Sequence, residues 1–474
     1  MKNRFNRLTS KEWLPFQKSW FKYSDDYTLY REHIRFFCKA EITEEVLFYY
    51  GSHGHIVQEI CSQENIQFVE NITGTSAIQY VFLDLRHEIN PEWKIKEIQS
   101  YIQQVTNIIK AVNGALLDRR FVTIILPQSS SFVKPYVPIA WLLAYSIGQI
   151  IHLKDEKIAC LPDVSENLPP SFSDMRNDVF YCLNFRKDEA QDIRRLDFDI
   201  SNLYANKSGK KTEFPSKILE KWYILKPTPR KKNEVLHPAK FPEELVVKYV
   251  EALTKVGDNV LDPMSGTGST QVASIKMGRN GYGTELSHFF FNIAKDRCTQ
   301  VVHAYNSELF HESSQVGNFD IKEMDARDIM KSNFPQCQYI FTSPPYWDML
   351  NMKGAEYQAK RVEKGLRTNY SEDTQDLGNI ADYEKFVKNL ASIYLQLSDL
   401  LTENGFLTIV VKNIKKKGRN YPFAWDLSAA LMEKYLLLPE TFWCQDDINL
   451  APYGYGNTFV SNTFHQYCLH FQKK

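Results

Sequence analysis

The chain has 474 residues with 57 basic and 57 acidic side chains, so its formal net charge is zero. Zero net charge excludes a molecule that binds nucleic acid as a general polycation, and any nucleic-acid surface must therefore be local. The length predicts at least two domains, and a hydrophobic fraction of 43% is sufficient for full cores.

Eight cysteines are scattered along the chain without a Cys-x-x-Cys pair. This spacing predicts reduced thiols, most of them buried as small apolar side chains, and no zinc site. The N-terminal residues show no signal-peptide pattern, and we expect a cytoplasmic protein. The longest uncharged run, residues 136–153, is at the short end for a membrane span and contains polar residues, so it predicts a buried helix.

Residues 1–205 are predicted to form an N-terminal α/β domain. Apolar runs predict strands at residues 80–85 and 121–126, and apolar residues at helical spacing predict helices at 91–116 and 138–151. This part contains no nuclease, helicase or nucleotide-hydrolysis motif. Its role stays open between target recognition or nucleic-acid docking and a purely structural or partner-binding function.

A basic linker is predicted at residues 206–235, where lysine and arginine are interleaved with prolines and aromatic side chains. Contacts to phosphate supply most of the non-specific affinity for DNA, so this segment is a candidate for tracking a DNA backbone. A solvated linker is an equally good interpretation, because runs of charge are often only that. The candidate phosphate contacts are Lys226, Arg230, Lys231 and Lys232.

Residues 236–474 are predicted to form a second domain that contains a glycine turn. Residues 260–270 are predicted to run from a strand through a tight turn into a helix, which stops at Gly278. A second strand, at residues 281–284, then ends at Glu285. An acidic residue about 20 positions after such a turn is the arrangement that binds a ribose.

A stiff loop follows a short apolar run that is predicted to be a buried strand; the loop consists of Ser343, Pro344, Pro345, Tyr346 and Trp347. In open α/β sheets, ligands bind where the strands end. The prolines stiffen the loop and leave carbonyl groups free, while the aromatic rings offer a stacking face. These groups suit a flat ring with an exocyclic amine, namely a nucleobase. An isolated Ser-Pro-Pro-Tyr would more simply be a proline turn, but its combination with the glycine turn and its acid favours a site.

The rest of the domain completes the predicted sheet. Helices are predicted at residues 383–401 and 424–435, and strands at 406–411 and 459–471. Two further basic loops follow strands on the motif-bearing side, so three basic segments are expected around one cleft. The candidate nucleic-acid contacts in this domain are Trp347, Lys360, Arg361, Lys415 and Lys416.

Residues 215–474 resemble the S-adenosylmethionine-dependent DNA amino-methyltransferases, in particular those that act on cytosine N4. The resemblance rests on the ordered set of the glycine turn, Glu285 and the loop from Ser343 to Tyr346. It implies a Rossmann-like sheet that is mostly parallel, with residues 459–471 as its one antiparallel strand, beside the additional N-terminal α/β domain. It also implies S-adenosylmethionine as the cofactor, DNA as the partner and chemistry that needs no metal.

The resemblance implies a role for each segment around the cofactor. The proline-rich segment before the glycine turn is assigned to the methionine end, and the turn holds the amino-acid part from below. Glu285 takes the ribose hydroxyls, and Asp325 resembles the acid that meets the adenine amine. The implied cofactor residues are His237, Pro238, Lys240, Asp262, Pro263, Met264, Ser265, Gly266, Gly268, Glu285 and Asp325.

The same resemblance makes Ser343, Pro344, Pro345 and Tyr346 the catalytic loop. The exocyclic amine of cytosine is a poor nucleophile, because its lone pair is delocalised into the ring. The Ser343 hydroxyl and the Pro344 carbonyl can orient this amine, and alignment of the reacting groups lowers the barrier. Tyr346 would stack on a base that has been flipped out of the duplex. No covalent enzyme adduct is implied.

Three alternatives stay open. Adenine-N6 enzymes usually carry Asp or Asn where Ser343 stands, although this preference has exceptions. An RNA methyltransferase of the tRNA guanine-N2 type also joins an N-terminal α/β domain to a motif ending in Pro-Pro-Tyr, but usually with Asp before the prolines. A cofactor-binding but inactive subunit is the third alternative, and the intact site residues argue against it.

Two features depart from the family pattern. Met264 stands where the family often has an aromatic residue. The glycine turn also precedes the catalytic loop, whereas many cytosine-N4 enzymes have the opposite order. Target recognition is expected from residues 1–215, from the loop at 351–378, or from both. The sequence leaves open whether a cognate restriction enzyme is a partner.

Overall fold

The chain forms two α/β units, each with helices packed on its own sheet. The computed structural model describes residues 6–39, 45–72, 77–90, 93–128, 136–161, 179–194, 199–204, 220–226, 241–306, 316–345, 347, 377–416, 418–446 and 461–474. We call residues 6–204 the first unit and residues 220–474 the second unit. The predicted α/β fold class is confirmed.

The first unit contains five α-helices and seven strands among the described residues. Its helices are α1 (Ser10–Phe16), α2 (Asp26–Phe37), α3 (Gly54–Glu64), α4 (Ile95–Ala115) and α5 (Ile139–Gly148). Its strands are β1 (Trp20–Lys22), β2 (Val46–Gly51), β3 (Gln67–Val69), β4 (Ile78–Asp84), β5 (Leu116–Pro127), β6 (His152–Cys160) and β7 (Val179–Arg186). They lie in the order β1-β6-β7-β5-β4-β2-β3.

The sequence patterns explain these elements. Every residue of β4 is buried, as expected for a central parallel strand with both faces covered. Helix α4 buries an apolar stripe at helical spacing, which includes Ile98, Ile102, Val105 and Ile109. Helix α5 buries nearly all of its side chains, which confirms the predicted buried helix. Among the described helices, none is long and apolar enough to cross a membrane.

The second unit is built in the same way. Its helices are α6 (Glu243–Leu253), α7 (Ser269–Lys276), α8 (His288–Asn306), α9 (Tyr383–Leu397) and α10 (Phe423–Leu431). Its strands are β8 (Trp222–Ile224), β9 (Asn259–Asp262), β10 (Asn280–Glu285), β11 (Phe319–Glu323), β12 (Cys337–Thr342), β13 (Leu401–Val411), β14 (Ile414–Lys416), β15 (Arg419–Tyr421), β16 (Tyr435–Leu437), β17 (Thr441–Cys444) and β18 (His465–Lys473). Short 3₁₀ helices cover Ala326–Ser332 and Leu377–Asn379 in the second unit and Ile200–Tyr204 in the first.

The second sheet is Rossmann-like. Its main path runs β11-β10-β9-β12-β13-β18-β17-β8. The first five strands are parallel, and β18 is antiparallel to β13, as predicted for the last strand. The strand order reverses between β9 and β12, and such a switch point is where open α/β sheets bind ligands. The two sequence motifs follow these two strands.

Part of the predicted linker is a sheet strand. Trp222, Tyr223 and Ile224 form β8, which pairs in parallel with β17. The Trp222 indole donates to the carbonyl of Leu161 in the first unit at 3.0 Å. A three-residue strand leaves too short a pattern to be recognised in a basic segment, and its partner lies more than 200 residues later.

The two units are joined by a continuous core. Trp141 in α5 stacks on Trp425 in α10, with ring centroids 5.9 Å apart. Around this stack, Asn413 donates to the Glu156 carboxylate at 2.9 and 3.0 Å. All eight cysteines are free and buried, as predicted.

Candidate active site

The glycine turn connects β9 to α7 and has the backbone that glycine favours. Gly266 and Gly268 have φ values of 54° and 76°, in the left-handed region. A Cβ atom on Gly268 would lie 2.9 Å from the Cβ of Ala294, so a larger residue would also displace helix α8. The predicted strand–turn–helix is confirmed.

Asp262 is a buried carboxylate at the end of β9. It accepts hydrogen bonds from the Thr270 hydroxyl at 2.7 Å and from the Met264 amide at 3.0 Å. Burial outweighs these bonds and raises its pKa to about 6. A positively charged group that approached Asp262 would relieve this cost of desolvation. The sequence prediction overlooked Thr270, although a hydroxyl on the first turn of the next helix was a readable signal.

Glu285 ties the end of β10 to the glycine turn. Its two carboxylate oxygens accept from the amide of Gly266 at 2.8 Å and from the amide of Ser287 at 2.9 Å. The Thr284 hydroxyl donates to the carbonyl of Pro263 at 2.7 Å, and the Ser265 amide donates to the carbonyl of Thr284 at 2.9 Å. Because β9 and β10 are parallel neighbours, the turn and the acid belong to one constellation.

Asp325 caps the short helix Ala326–Ser332 beside this constellation. Burial alone would raise its pKa, but hydrogen bonds from the side chain and backbone of Arg327 hold the pKa below its ordinary value. The preceding residue, Met324, donates its amide to the carbonyl of Glu285 at 3.0 Å. Asp325 therefore lies next to the proposed ribose acid, with a guanidinium already paired to it.

The Ser-Pro-Pro loop leaves the sheet next to the glycine turn, because β12 pairs with β9 through Tyr339–Val260 and Ile340–Leu261. The Ser343 hydroxyl donates to the carbonyl of Val410 at 2.9 Å. A hydroxyl has one proton and two acceptor lone pairs, so Ser343 is left as an acceptor.

The structure corrects the prediction for Trp347. Its side chain is only 4% exposed, and its indole donates to the carbonyl of Ala381 at 3.1 Å. The ring packs against Tyr383 and Tyr421, with centroids 5.1 and 4.9 Å away. Trp347 therefore anchors the loop in the core instead of offering a face to nucleic acid. The Lys416 ammonium lies 3.9 Å from the centroid of this ring.

The prediction for Lys415 also needs correction. Its ammonium forms an ion pair with the buried Asp155 of the first unit and donates to the carbonyl of Ser461 at 2.8 Å. It joins the units and is not available to a phosphate. Lys226 lies two residues after the end of β8. Outside the described residues are His237, Pro238, Lys240, Arg230, Lys231, Lys232, Tyr346, Lys360 and Arg361.

The chain is similar to known DNA methylases. A profile of the N6/N4 DNA methylase family matches residues 80–296, which include the glycine turn and Glu285 but not the Ser343 loop. The type II methyltransferase M.MthZI of Methanothermobacter thermautotrophicus is 36% identical over 75 residues, or 16% of this chain and 21% of that protein. M.MjaI of Methanocaldococcus jannaschii is 31% identical over 119 residues, or 25% of this chain and 38% of that protein.

The chain thus spans well under half the length of these relatives. Among solved structures, a putative rRNA methylase from Clostridium thermocellum aligns with 50% of this chain and all of its own, at 13% identity and a TM-score of 0.30. By the matching profile and these relatives, the chain is similar to the N6/N4 family of DNA methylases.

Proposed function

We propose that the chain is a DNA methyltransferase that moves a methyl group from S-adenosylmethionine to the exocyclic amine of a flipped base, most favourably cytosine N4. The observation that carries this proposal is the pairing of β9 with β12. It brings the glycine turn and the Ser343 loop to the same end of the sheet, at the switch point.

The residues of the turn fit S-adenosylmethionine, which supplies an electrophilic methyl group on a sulfonium. Asp262 offers a buried carboxylate to the cationic amino-acid part. Glu285 accepts a backbone hydrogen bond on each oxygen, and an ionised carboxylate is an acceptor that suits the ribose hydroxyls.

Ser343 and Pro344 supply the acceptors for the target amine. Because the Ser343 proton is directed to Val410, its oxygen accepts an N–H of the amine. The Pro344 carbonyl accepts the other N–H, so the nitrogen is held with its lone pair toward the methyl carbon. Bound at the glycine turn, S-adenosylmethionine would supply the methyl group, and the amine that received it would release a proton to solvent.

The preference for cytosine rests on the resemblance, in which Ser at position 343 is commoner in cytosine-N4 enzymes. DNA as substrate, a cytoplasmic site of action and a cognate restriction enzyme belong to the same proposal. Adenine N6 is the second candidate, because the family includes both activities in its name.

Transfer of a labelled methyl group to cytosine-containing and adenine-containing oligonucleotides tests the proposal. We expect label on cytosine and, for Ser343→Ala, at least a tenfold loss of transfer with unchanged cofactor affinity, corresponding to about 1.4 kcal/mol of transition-state stabilisation. Ser398→Ala is the matched control, since its hydroxyl also donates to a backbone carbonyl, that of Leu395, at 2.8 Å. Label on adenine alone would refute the cytosine assignment, and label on RNA alone would refute the DNA assignment.

A further inference from the structure

The two units share one topology. The first sheet read as β3-β2-β4-β5-β7-β6-β1 matches the second read as β10-β9-β12-β13-β18-β17-β8. In both, the first four strands are parallel, the next two are each antiparallel to the strand before, and the last is parallel to its neighbour. Helices α2 to α5 precede or follow the same strands as α6, α7, α9 and α10.

Strand register and sequence agree with this match. Tyr80 pairs with Phe121 as Tyr339 pairs with Phe406. The motif Tyr-Cys-Leu-x-Phe occupies residues 181–185 of β7 and residues 467–471 of β18. The motif Pro-x-Ala-Trp-x-Leu opens α5 at residues 138–143 and α10 at residues 422–427.

The matching residues also meet each other across a pseudo-twofold axis. Trp141 and Trp425, which correspond, stack on each other and donate to the hydroxyls of Tyr181 and Tyr467, which also correspond. Those tyrosines in turn donate across the interface, Tyr181 to Glu440 at 2.7 Å and Tyr467 to Glu156 at 2.9 Å. Reciprocal contacts of this kind are typical of a twofold dimer of identical subunits.

A second reciprocal pair lies at the sheet edges. Trp20 of β1 donates to the carbonyl of Gln445, and Trp222 of β8 donates to the carbonyl of Leu161, both at 3.0 Å. The strand ends meet at the axis, where the thiols of Cys160 and Cys444 are 3.8 Å apart. The family match begins in β4 of the first unit, which is difficult to explain if only the second unit had the methylase fold.

We infer that the chain is a fused pair of methylase-fold units, in which the first unit binds no cofactor and serves as the built-in partner of the second. The statement about the cofactor rests on the proposed function, whereas the partnership rests on the fold alone.

The cleft of the first unit has lost the features of a cofactor site. The strand registers place Tyr49 at the position of Asp262, and Asp84 at the position of Ser343. Asp84 is engaged by the Tyr30 hydroxyl and by Arg86, which also pairs with Asp26 at 2.6 Å. The ion-paired Arg86 thus occupies the position that Pro345 has in the second unit.

The first unit also lacks one layer of the pocket. Residues 70–77 alone join β3 to β4, whereas residues 286–336 join β10 to β12 and supply α8, β11 and Asp325. Eight residues cannot form a helix and a strand that would correspond to α8 and β11.

The first unit nevertheless supports the Ser343 loop of the second unit through a chain of side-chain contacts. The buried carboxylate of Asp426 accepts from Tyr145 at 2.8 Å and Arg194 at 2.9 Å, both in the first unit, and from Tyr383 at 2.6 Å. Tyr383 packs against Trp347, the anchor of the loop. The first-unit counterpart of Asp426 is Leu142, which has no polar side-chain group. Among the described residues, the first unit therefore supports the second through this carboxylate without a matching contact in return.

Calorimetric titration of the full chain with S-adenosylhomocysteine tests whether the first unit has lost cofactor binding. We expect one equivalent per chain, with at least tenfold weaker binding in Glu285→Ala and unchanged binding in Glu70→Ala, which changes the acid that follows β3. Two equivalents, or binding lost only in Glu70→Ala, would overturn the inference. If wild type bound none, the proposed function would fail, and the partnership would be decided by the unfolding experiment.

Unfolding in urea, followed by hydrogen exchange and mass spectrometry, tests the partnership without any cofactor. Peptides from α4 and α9 report on the first and second unit separately. We expect both to lose protection at one urea concentration, and both to shift together to lower urea in Tyr145→Phe as in Tyr383→Phe. Two separate transitions, or a shift confined to one unit, would show that the first unit is not a structural partner.

Discussion

Asp262 has both a structural and a chemical role, because its burial raises the pH at which it loses its proton. With a pKa raised from 3.8 to about 6, the folded state holds a proton that the unfolded chain has already released between these values. The stability of the cofactor-free protein therefore falls as the pH rises through this window. The ionised form that results is the one that attracts a cation.

We predict that the affinity for S-adenosylhomocysteine, whose amino group is cationic, increases between pH 5 and pH 7 as Asp262 ionises. Asp262→Asn should be weaker at pH 7 and should show a flatter profile. Titration calorimetry at several pH values measures both effects. A wild-type affinity that did not change over this range would remove Asp262 from the cationic end of the cofactor.

Among single residues, the sequence predicted those whose position is set by the local strand and turn structure. Asp262 and Glu285 end strands β9 and β10, Gly266 and Gly268 lie in the turn after β9, and the four residues lie together as expected. The roles of Trp347 and Lys415 could not be predicted, because their exposure is decided by distant residues such as Tyr383 and Asp155. Periodicity and motif spacing carry no information about such contacts.

Among the elements, the loop after β12 depends on an aromatic cluster formed by Trp347, Tyr383 and Tyr421. The guanidinium carbon of Arg194 lies 5.1 Å from the centroid of the Tyr383 ring and 5.8 Å from that of Tyr421. Arg194 is therefore a positioning residue that acts through this cluster and through Asp426.

We predict that Arg194→Gln lowers kcat about tenfold, the effect of about 1.4 kcal/mol, while cofactor affinity stays unchanged. Arg194→Lys should restore part of the rate, because it keeps a charge near Asp426. Arg186→Gln is the control, since Arg186 pairs with Asp188 and is not among the groups that bond to Asp426. Equal losses in the two glutamine variants would indicate a general effect on stability.

We predict that Trp347→Leu lowers the rate of methyl transfer at least as much as Arg194→Gln, because it removes the anchor itself. The midpoint of thermal unfolding should also fall, since a large buried side chain is truncated. Normal transfer with a lowered midpoint would mean that the loop holds its geometry without Trp347.

Helices α4, α5, α9 and α10 and strand β4 were predicted within a few residues, because their apolar spacing is regular, whereas helices α2, α3 and α8 were not predicted. Strand β8 was not, since only its pairing with β17 makes it a strand. The common topology of the units was also not visible, because the shared motifs are short and the second unit carries insertions such as residues 286–336.

At the scale of the whole molecule, the basic segment between the units matters because the chain has no net charge. A neutral protein needs a local basic surface for DNA, and the candidate phosphate contacts begin at Lys226, two residues after the end of β8. Replacing Arg230, Lys231 and Lys232 by Ala should flatten the salt dependence of DNA binding by about 0.9 per lost phosphate contact.

Replacing Lys94, Lys96 and Lys110 by Ala is the matched control, because it removes the same charge from exposed positions at or near α4. Binding measured at several salt concentrations separates the two variants. Equal slopes would make the stretch between the units a plain connector.

The covalent fusion of the two units has a consequence for how their sequences diverge. In a dimer of identical chains, a substitution that spoils one cleft spoils both, and every molecule loses its activity. In the fused pair the ratio of the units is one to one at any concentration, and each cleft is encoded separately. The Asp84–Arg86 pair could therefore arise in the first unit while Ser343 remained unchanged in the second.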